Sequence, residues 1–431
     1  MIIPRFHLTQ TDRTVTITIK APFCNLDELD TSCDDNVFLF HCSPYHLRLK
    51  LPGNIVENAE SKVSFNADTS EFILIYGKEN VGEDFPNLEL ITSLLQSKVE
   101  VNEGGRKIEI IGDENGEKNA ENWGGDKVEY GFGLRGGYDF RNLHNEFDIF
   151  KINPHEVKFE DRRILRMRKE QEDFNFEHYA ADLMDDAEIR EVCKLKCPWD
   201  DLKESEIKFS DEELDFMKDL LNIEFNLSDQ QIVYCRNSLI DILFAYCYDA
   251  RTTGFEKTCE SHWTIINVSC SLSWFDSFLS PKDALVSAFR RSLIYPIYRS
   301  FFLCEQILVD LKKLLSLGEK FIIKCLISIY NVFLHDDSGG YILNNLFIKD
   351  YIVYISKWNQ NEWEKIVVEV QNLTINRSDL GMNLIELEGS CLNNLEESFK
   401  NIKINEYDSD DDSSSDSSED SSLSEDELSE S

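Results

Sequence analysis

The sequence is poor in basic residues for its size. Its 431 residues include 44 Lys and Arg against 81 Asp and Glu, which gives a formal net charge of −37. Such a surface repels the phosphates of nucleic acids and of anionic lipids, and it attracts basic proteins. The composition therefore predicts no direct nucleic-acid partner and no membrane partner, and it favours binding to a basic protein.

The sequence also lacks a long apolar run, a leader-like start and a C-x-x-C pair. The most apolar stretch, residues 321–334, contains Lys324 and Asn331 and is too short to span a bilayer. The first residues, MIIPRFHLTQTD, show no basic region followed by an apolar core. The twelve cysteines are scattered. We therefore expect a soluble intracellular protein with reduced cysteines, no disulfide and no structural zinc.

The C-terminal end has little apolar surface. Residues 408–431 contain 11 acidic residues, 11 serines and two leucines, with no Lys or Arg. Such a segment cannot offset its chain entropy by burial, so it predicts a disordered acidic tail. Five serines have Asp or Glu three residues later, the context that casein-kinase-two-type enzymes favour. These candidate phosphorylation sites are Ser409, Ser413, Ser417, Ser422 and Ser424.

The N-terminal residues show the alternating pattern of β-strands. Threonines alternate with Val and Ile over residues 14–19, as in a strand with one buried face. Further short runs are separated by turn formers, at residues 5–9, 37–42, 46–51, 62–66 and 72–76. The spacing predicts an all-β sandwich over residues 1–96, whose last apolar segment, 85–96, docks on it as a short helix.

A polar, glycine-rich stretch follows and predicts a flexible linker over residues 97–129. Its isolated Trp123 is either a docking anchor or a side chain that packs on the next domain.

Caps and helical periodicity predict an all-α domain over residues 130–407. Ser210 with Glu213 and Ser228 with Gln231 fit capping boxes, and Ser280-Pro281 fits a helix start. Pro296 is expected to kink or restart that last helix, and Gly318 to end the following one. Further helices are predicted over residues 319–335, 341–358 and 362–373.

The helix predicted over residues 229–249 has one apolar side. On its opposite side Tyr234, Asp241 and Tyr248 recur every seven residues. This side is either a packed face or a contact surface.

No motif in the sequence predicts catalysis, a cofactor or a metal. Gly131 to Gly136 match the pattern G-x-G-x-x-G, but a polar linker precedes them, so the strand and helix of a dinucleotide site are not expected. His41 and Cys42 are neighbours on a predicted strand and would point to opposite faces. Cys193 and Cys197, four residues apart on a predicted helix, fit no zinc spacing. We expect a protein that is not an enzyme.

Residues 239–299 are dense in aromatic side chains and contain two distinctive segments. The first reads E-S-x-W-T-I from Glu260 to Ile265, and the second reads R-R-x-L-x-Y-P-x-x-R from Arg290 to Arg299. Both resemble segments of the Shq family of H/ACA ribonucleoprotein assembly chaperones. The pieces PRFHLTQT, VFLFHCSPYHLRLKLPG and FILIYGKE are similar to that family's N-terminal CS domain, and YGFGL resembles the entry into its helical domain. The resemblance covers residues 1–96 and 130–299.

The resemblance implies an assembly chaperone that binds the free H/ACA pseudouridine synthase, dyskerin in animals. The helical domain would cover the RNA-binding face of the synthase and be released as the box H/ACA snoRNP assembles. It further implies a monomer in the nucleoplasm, with a cytoplasmic pool allowed, and chaperone or AAA ATPase machinery as further partners.

The candidate partner-binding residues lie in the aromatic segment and the two motifs. They are Tyr234, Asp241, Tyr248, Asp249, Glu260, Arg290, Arg291 and Tyr295, and the hypothesis takes the first three as one exposed stripe. Trp263 and Trp274 are expected in the core. The alternatives are a CS-domain co-chaperone or scaffold that links the heat-shock machinery to a client, and a nucleotide-dependent enzyme.

Overall fold

The computed structural model describes residues 3–22, 24–58, 61–66, 69–95, 128–136, 149–221, 223–334, 339–358 and 360–391. The predicted tail, with its candidate serines, and the predicted linker as far as residue 127, with Trp123, lie outside these ranges. The described residues up to Met382 form one compact unit, and those from Asn383 to Cys391 belong to a second. The domain boundaries drawn from the sequence stay predictions.

The N-terminal part consists of two antiparallel sheets. The strands are β1 (Arg5–Gln10), β2 (Thr14–Lys20), β3 (Asp30–Asp34), β4 (Val37–Cys42), β5 (Tyr45–Lys50), β6 (Ile55–Val56), β7 (Lys62–Asn66) and β8 (Glu71–Lys78). One sheet has the order β1-β2-β8, with β6 and β7 both paired to β8, and the other has the order β3-β4-β5. Val15, Ile17 and Ile19 are fully buried between the sheets. The predicted sandwich is confirmed, although β3 and β6 were not predicted.

The segment after β8 is helical for only one turn, α1 (Ile91–Leu94). Leu95 forms a β-bridge to Leu49 of β5, so the segment does dock on the sandwich. It also contacts the helical part, where Lys320 Nζ lies 2.5 Å from Glu89.

The described residues from Tyr130 to Met382 are mainly helical. The helices are α2 (Phe159–Asp173), α3 (Phe176–Met184), α4 (Ala187–Lys194), α5 (Asp211–Asp219), α6 (Asp229–Thr252), α7 (Ser261–Val268), α8 (Cys270–Ser273), α9 (Pro281–Ser292), α10 (Phe301–Ser316), α11 (Glu319–Leu334), α12 (Gly340–Leu343), α13 (Lys349–Ile355) and α14 (Gln360–Gln371). Within the described ranges, no helix combines the length and the apolarity needed to cross a membrane.

The three predicted helix starts are confirmed, but the predictions for Pro296 and for an unbroken helix over 341–358 are not. Ser210 and Ser228 form capping boxes, and the side chain of Ser280 accepts from Asp283 N–H with Pro281 in the first turn. The expectation for Pro296 was wrong, because α9 ends at Ser292 and the proline lies in the following loop. Gly318 does end α10, with a φ of +81°. The helix predicted over 341–358 is split by a π-helical turn, Asn344–Ile348.

The glycine-rich turn is a packing element. Gly131 and Gly133 have φ values of +77° and +60° around a single 3₁₀ turn. A Cβ on Gly133 would lie 2.7 Å from the Leu227 side chain, and Gln231 Nε2 donates to the Gly133 carbonyl at 2.6 Å. The ring of Phe132 packs edge-on against Tyr351. The glycines therefore serve close approach to α6 and α13.

A candidate partner-binding surface

The exposed stripe predicted on α6 does not exist. Asp241 is completely buried and Tyr248 is 1% exposed. Tyr234 is half-buried, with its ring centroid 5.7 Å from that of Phe159. Helices α7, α9 and α10 all pack on α6, so even its polar side faces protein. The packed-face alternative is the correct one.

Asp241 fixes the start of α8 from inside the protein. Its Oδ2 accepts from the Ser269 hydroxyl at 2.6 Å and from Ser271 N–H at 2.9 Å. Burial raises the pKa of this carboxyl to about 6. A side chain so enclosed contacts no partner in this conformation.

Tyr248 and Asp249 are likewise internal. The Tyr248 hydroxyl donates to the Tyr298 carbonyl at 2.6 Å. Asp249 is 5% exposed, and burial raises the pKa of its carboxyl to about 6. Both residues therefore hold the fold rather than form a surface.

Arg290 and Arg291 belong to a buried ion cluster around Glu170. The Glu170 carboxylate accepts from Arg166 at 2.6 Å and from Arg290 at 2.8 Å, and Arg291 Nη1 lies 3.6 Å away. Arg166 also bonds Asp276 at 2.9 Å. Burial favours the neutral acid, but the arginines outweigh it and hold the pKa of Glu170 below its usual range. The cluster joins α2 to α9 and was missed from the sequence.

The buried side of α2 carries these charges. Arg162, Arg166 and Glu170 lie one turn apart and are buried, while Ile164 and Met167 are exposed. The charged residues recur at the spacing i, i+4, i+8, and this pattern could have indicated from the sequence that the charged side of α2 is the buried one.

Arg291, near the end of α9, and Tyr295 fix a tightly bound loop, residues 293–300. Arg291 Nε donates to the Asn267 carbonyl at 2.5 Å, and its guanidinium lies 4.7 Å from the Tyr295 ring centre. The half-buried Tyr295 donates its hydroxyl to Asp173 at 2.9 Å. Further along, Tyr298 donates to Glu188 at 2.6 Å, and Arg299 N–H donates to Asp182 at 2.8 Å. The loop is thus fixed to α2, α3 and α4.

This fixed loop presents an apolar side chain to solvent. Ile297, between the two bonded tyrosines, is 72% exposed. Arg299 links the loop to α3, and Arg190 of α4 lies 6.0 Å from the Phe302 ring at the start of α10. Three further apolar side chains, Met184, Phe302 and Val309, are exposed on α3 and α10. We define the loop surface as Met184, Ile297, Phe302 and Val309 with the exposed carboxylates Glu177, Asp185 and Glu305.

The loop surface is negative at its rim. Three cations of α4 and of the loop are paired, Arg190 with Asp186, Lys194 with Glu191 and Arg299 with Asp182. Its three carboxylates have no ion pair among the described residues. An apolar centre with an acidic rim fits a basic protein partner.

Glu260 and Trp263 lie at the exposed N-terminal end of α7. Glu260 is exposed just before α7, and Trp263 is 38% exposed, so its expected core position was wrong. Trp274 is 5% exposed, as expected. On a helix as short as α7, one side faces solvent while Ile265 and Ile266 fill the core.

The residues considered for metal or nucleotide chemistry do not converge in the described structure. His41 is half-buried and its neighbour Cys42 is buried, as expected for opposite faces of β4. Cys193 lies in the last turn of α4, which ends at Lys194, and Cys197 lies beyond that end, so the predicted shared helix was wrong. Among the described residues, no three His, Cys, Asp or Glu side chains lie together as a metal site would require.

The fold and the surface define a class: a β-sandwich of CS type followed by a helical domain with a candidate protein-binding surface. The family described as "SHQ1-like, CS domain" matches residues 3–95, and the one described as "SHQ1 protein, Shq1 domain" matches residues 198–384. The Protein SHQ1 homolog of Xenopus tropicalis is 34% identical over 90% of this chain and 69% of its own length. The Danio rerio homolog is 33% identical over 90% and 71%, and Protein shq1 of Schizosaccharomyces pombe is 28% identical over 90% and 96%. The chain belongs to the SHQ1 family.

Proposed function

We propose that this protein holds the free H/ACA pseudouridine synthase, a dyskerin-type enzyme, and covers its RNA-binding face until the box H/ACA snoRNP assembles. Membership of the SHQ1 family supports the general role of H/ACA ribonucleoprotein assembly chaperone. The observation that carries the more specific proposal is the loop surface, which combines fixed apolar side chains with an acidic rim.

Charge favours such a client. A protein face that binds RNA must present Lys and Arg to phosphates. Carboxylates such as Glu177, Asp185 and Glu305 can occupy the places that phosphates would take, because both accept charge-assisted hydrogen bonds from basic side chains. The rim would mainly steer association, so the association rate should fall as salt rises.

The apolar centre would set the lifetime of the complex. Ile297 is held outward by bonds on either side of it, from Tyr295 to Asp173 and from Tyr298 to Glu188. A side chain fixed before binding loses little conformational entropy when a partner covers it. Central apolar anchors usually act on dissociation.

The test is binding of the full-length chain to the purified synthase by biolayer interferometry. Ile297→Asp places a charge at the centre of the loop surface and should weaken binding at least tenfold, mainly through faster dissociation. Leu279→Asp is the matched control, since Leu279 is 61% exposed and precedes the start of α9, a helix about 18 Å long whose other end leads into the loop. Equal binding by both variants would reject the loop surface as the contact.

A second candidate function rests on the CS match at residues 3–95. In this alternative the protein is a co-chaperone or scaffold that brings heat-shock machinery, or an AAA ATPase, to a client. Capture of a heat-shock chaperone by a chain whose Ile297→Asp change abolishes synthase binding would favour it.

Location and modification follow from the proposed client. We place the protein in the nucleoplasm, with a cytoplasmic pool before import, as a monomer without catalytic activity. Phosphorylation of the serines between residues 409 and 424 would add about −1.5 to −2 charges each and strengthen attraction to a basic client.

A further inference from the structure

The sandwich leaves an edge of its smaller sheet open at β3. A strand edge exposes backbone N–H and C=O groups that can pair with another chain. The opposite edge, β5, is bridged by Leu95. In the described part of the chain, β4 is the only strand hydrogen-bonded to β3, although β6 lies close to β3 across a gap.

The register identifies the backbone groups that face outward. Strands β3 and β4 are joined by the two-residue turn Asp35-Asn36, so the closing pair Asp34 and Val37 is a hydrogen-bonded pair. The pattern alternates along the ladder, so Ser32 also bonds β4. Thr31 and Cys33 therefore direct their N–H and C=O groups away from β4.

A cavity of about 370 Å³ lies beside this edge. It is lined by residues 31–35 of β3 and its turn, by residues 54–57 around β6 and by Glu79. One end is closed by Ile55 N–H, which donates to the Asp35 carbonyl at 2.8 Å. The volume is near the lower end of ligand pockets, roughly 300–1,000 Å³, and can admit a side chain from a segment paired with β3.

The charged side chains of the cavity are all acidic. They are Asp34, Asp35, Glu57 and Glu79, and none of them has an ion pair among the described residues. Asp30 and Asp34 mark both ends of β3. Two copies of β3 would bring like charges together, so pairing with a second copy of this chain is disfavoured. A segment of opposite charge is favoured.

We propose that β3 binds an extended, Lys- or Arg-bearing segment of a partner protein by strand addition, with one basic side chain of that segment in the cavity. Backbone hydrogen bonds from Thr31 and Cys33 would supply affinity, and the carboxylates would select the basic side chain. This surface is separate from the loop surface and does not depend on the proposed client.

The first test uses the full-length chain and a fluorescein-labelled nine-residue peptide of alternating Thr and Lys. Fluorescence anisotropy should show saturable binding, and a peptide with Glu in place of Lys should not bind. The double variant Glu57→Lys/Glu79→Lys should weaken binding at least tenfold. The matched control, Glu172→Lys/Glu212→Lys, makes the same charge change on exposed helix positions and should weaken it less than threefold.

The second test reads strand addition directly and needs no variant. Residue-resolved amide hydrogen exchange should slow at least tenfold at Thr31 and Cys33 when the Lys peptide binds, while Ser32 and Asp34, already bonded to β4, should change little. Failure of the Lys peptide to bind, equal weakening by the control variant, or binding without protection of Thr31 and Cys33 would each overturn the proposal.

Discussion

The buried ion cluster around Glu170 predicts a large loss of stability when the charge of Glu170 is removed. Glu170→Gln keeps the shape of the side chain and one acceptor oxygen but removes the negative charge. Apart from that one oxygen, Arg290 would retain the Leu380 carbonyl, and Arg291 the Asn267 carbonyl and the Ser273 hydroxyl. Two buried cations would thus lose their carboxylate. Breaking a buried ion pair from one side costs about 3–5 kcal/mol.

We expect Glu170→Gln to lower the free energy of unfolding by about 3–5 kcal/mol, a large fraction of the ~5–15 kcal/mol typical of folded proteins. Urea unfolding followed by circular dichroism at the helix band measures the change. Glu172→Gln is the control, because Glu172 is exposed two residues further along the same helix and should change stability by less than about 0.5 kcal/mol. A loss below about 1 kcal/mol for Glu170→Gln at an unchanged m-value would refute the reasoning.

Three further predictions follow from single features. Burial raises the pKa of Asp241 to about 6 from the ordinary 3.8, so its contribution to stability is present below pH 4 and is lost as pH rises through 6. The free energy of unfolding should fall by about 1 kcal/mol between pH 5 and 7 on its account, and Asp241→Asn should remove that part of the fall in thermal melts. Gly133→Ala should lower the free energy of unfolding more than Gly254→Ala. Both glycines have a positive φ of at least +60°, but only a Cβ at position 133 would meet a neighbour, Leu227. Equal denaturation midpoints would contradict this. Deletion of residues 408–431 should leave the midpoint unchanged and at most slow association with a basic partner, and a lowered midpoint would show that the tail supports the fold.

The sandwich was largely predictable, because alternating Thr with Val or Ile states directly which face of β2 is buried. Strand β3 was not, since DTSCD contains no alternating apolar residues and owes its conformation to pairing with β4. Strand β6 is only two residues long, and β8 holds it in place. The strand conformation of β3 and β6 is thus determined by pairing with distant segments, which the local sequence pattern does not show.

The helix starts were predictable from Ser210, Ser228 and Ser280, because a cap is a local interaction. Which polar residues face the protein interior was not predictable from the sequence. Asp241 looked solvent-facing from its helical position, yet its partners Ser269 and Ser271 come from a segment about thirty residues later in the chain.

The exposed residues of the loop surface were also not predictable from the sequence. The motif that carries the family resemblance drew attention to Arg290, Arg291 and Tyr295, whose side chains hold the loop from inside. Ile297 occupies a variable place in that motif and is the side chain that the loop exposes. Residues that fix a surface and residues that form it are hard to separate by sequence alone.

The proposed function requires that this protein and RNA compete for one face of the synthase. The direct measurement titrates labelled guide RNA against a preformed complex of full-length chain and synthase, at two salt concentrations, while size-exclusion chromatography follows both proteins. We predict that RNA binds only as the chain dissociates, and that higher salt speeds the exchange. A stable ternary complex with guide RNA fully bound would contradict the claim, even if the two proteins remain associated.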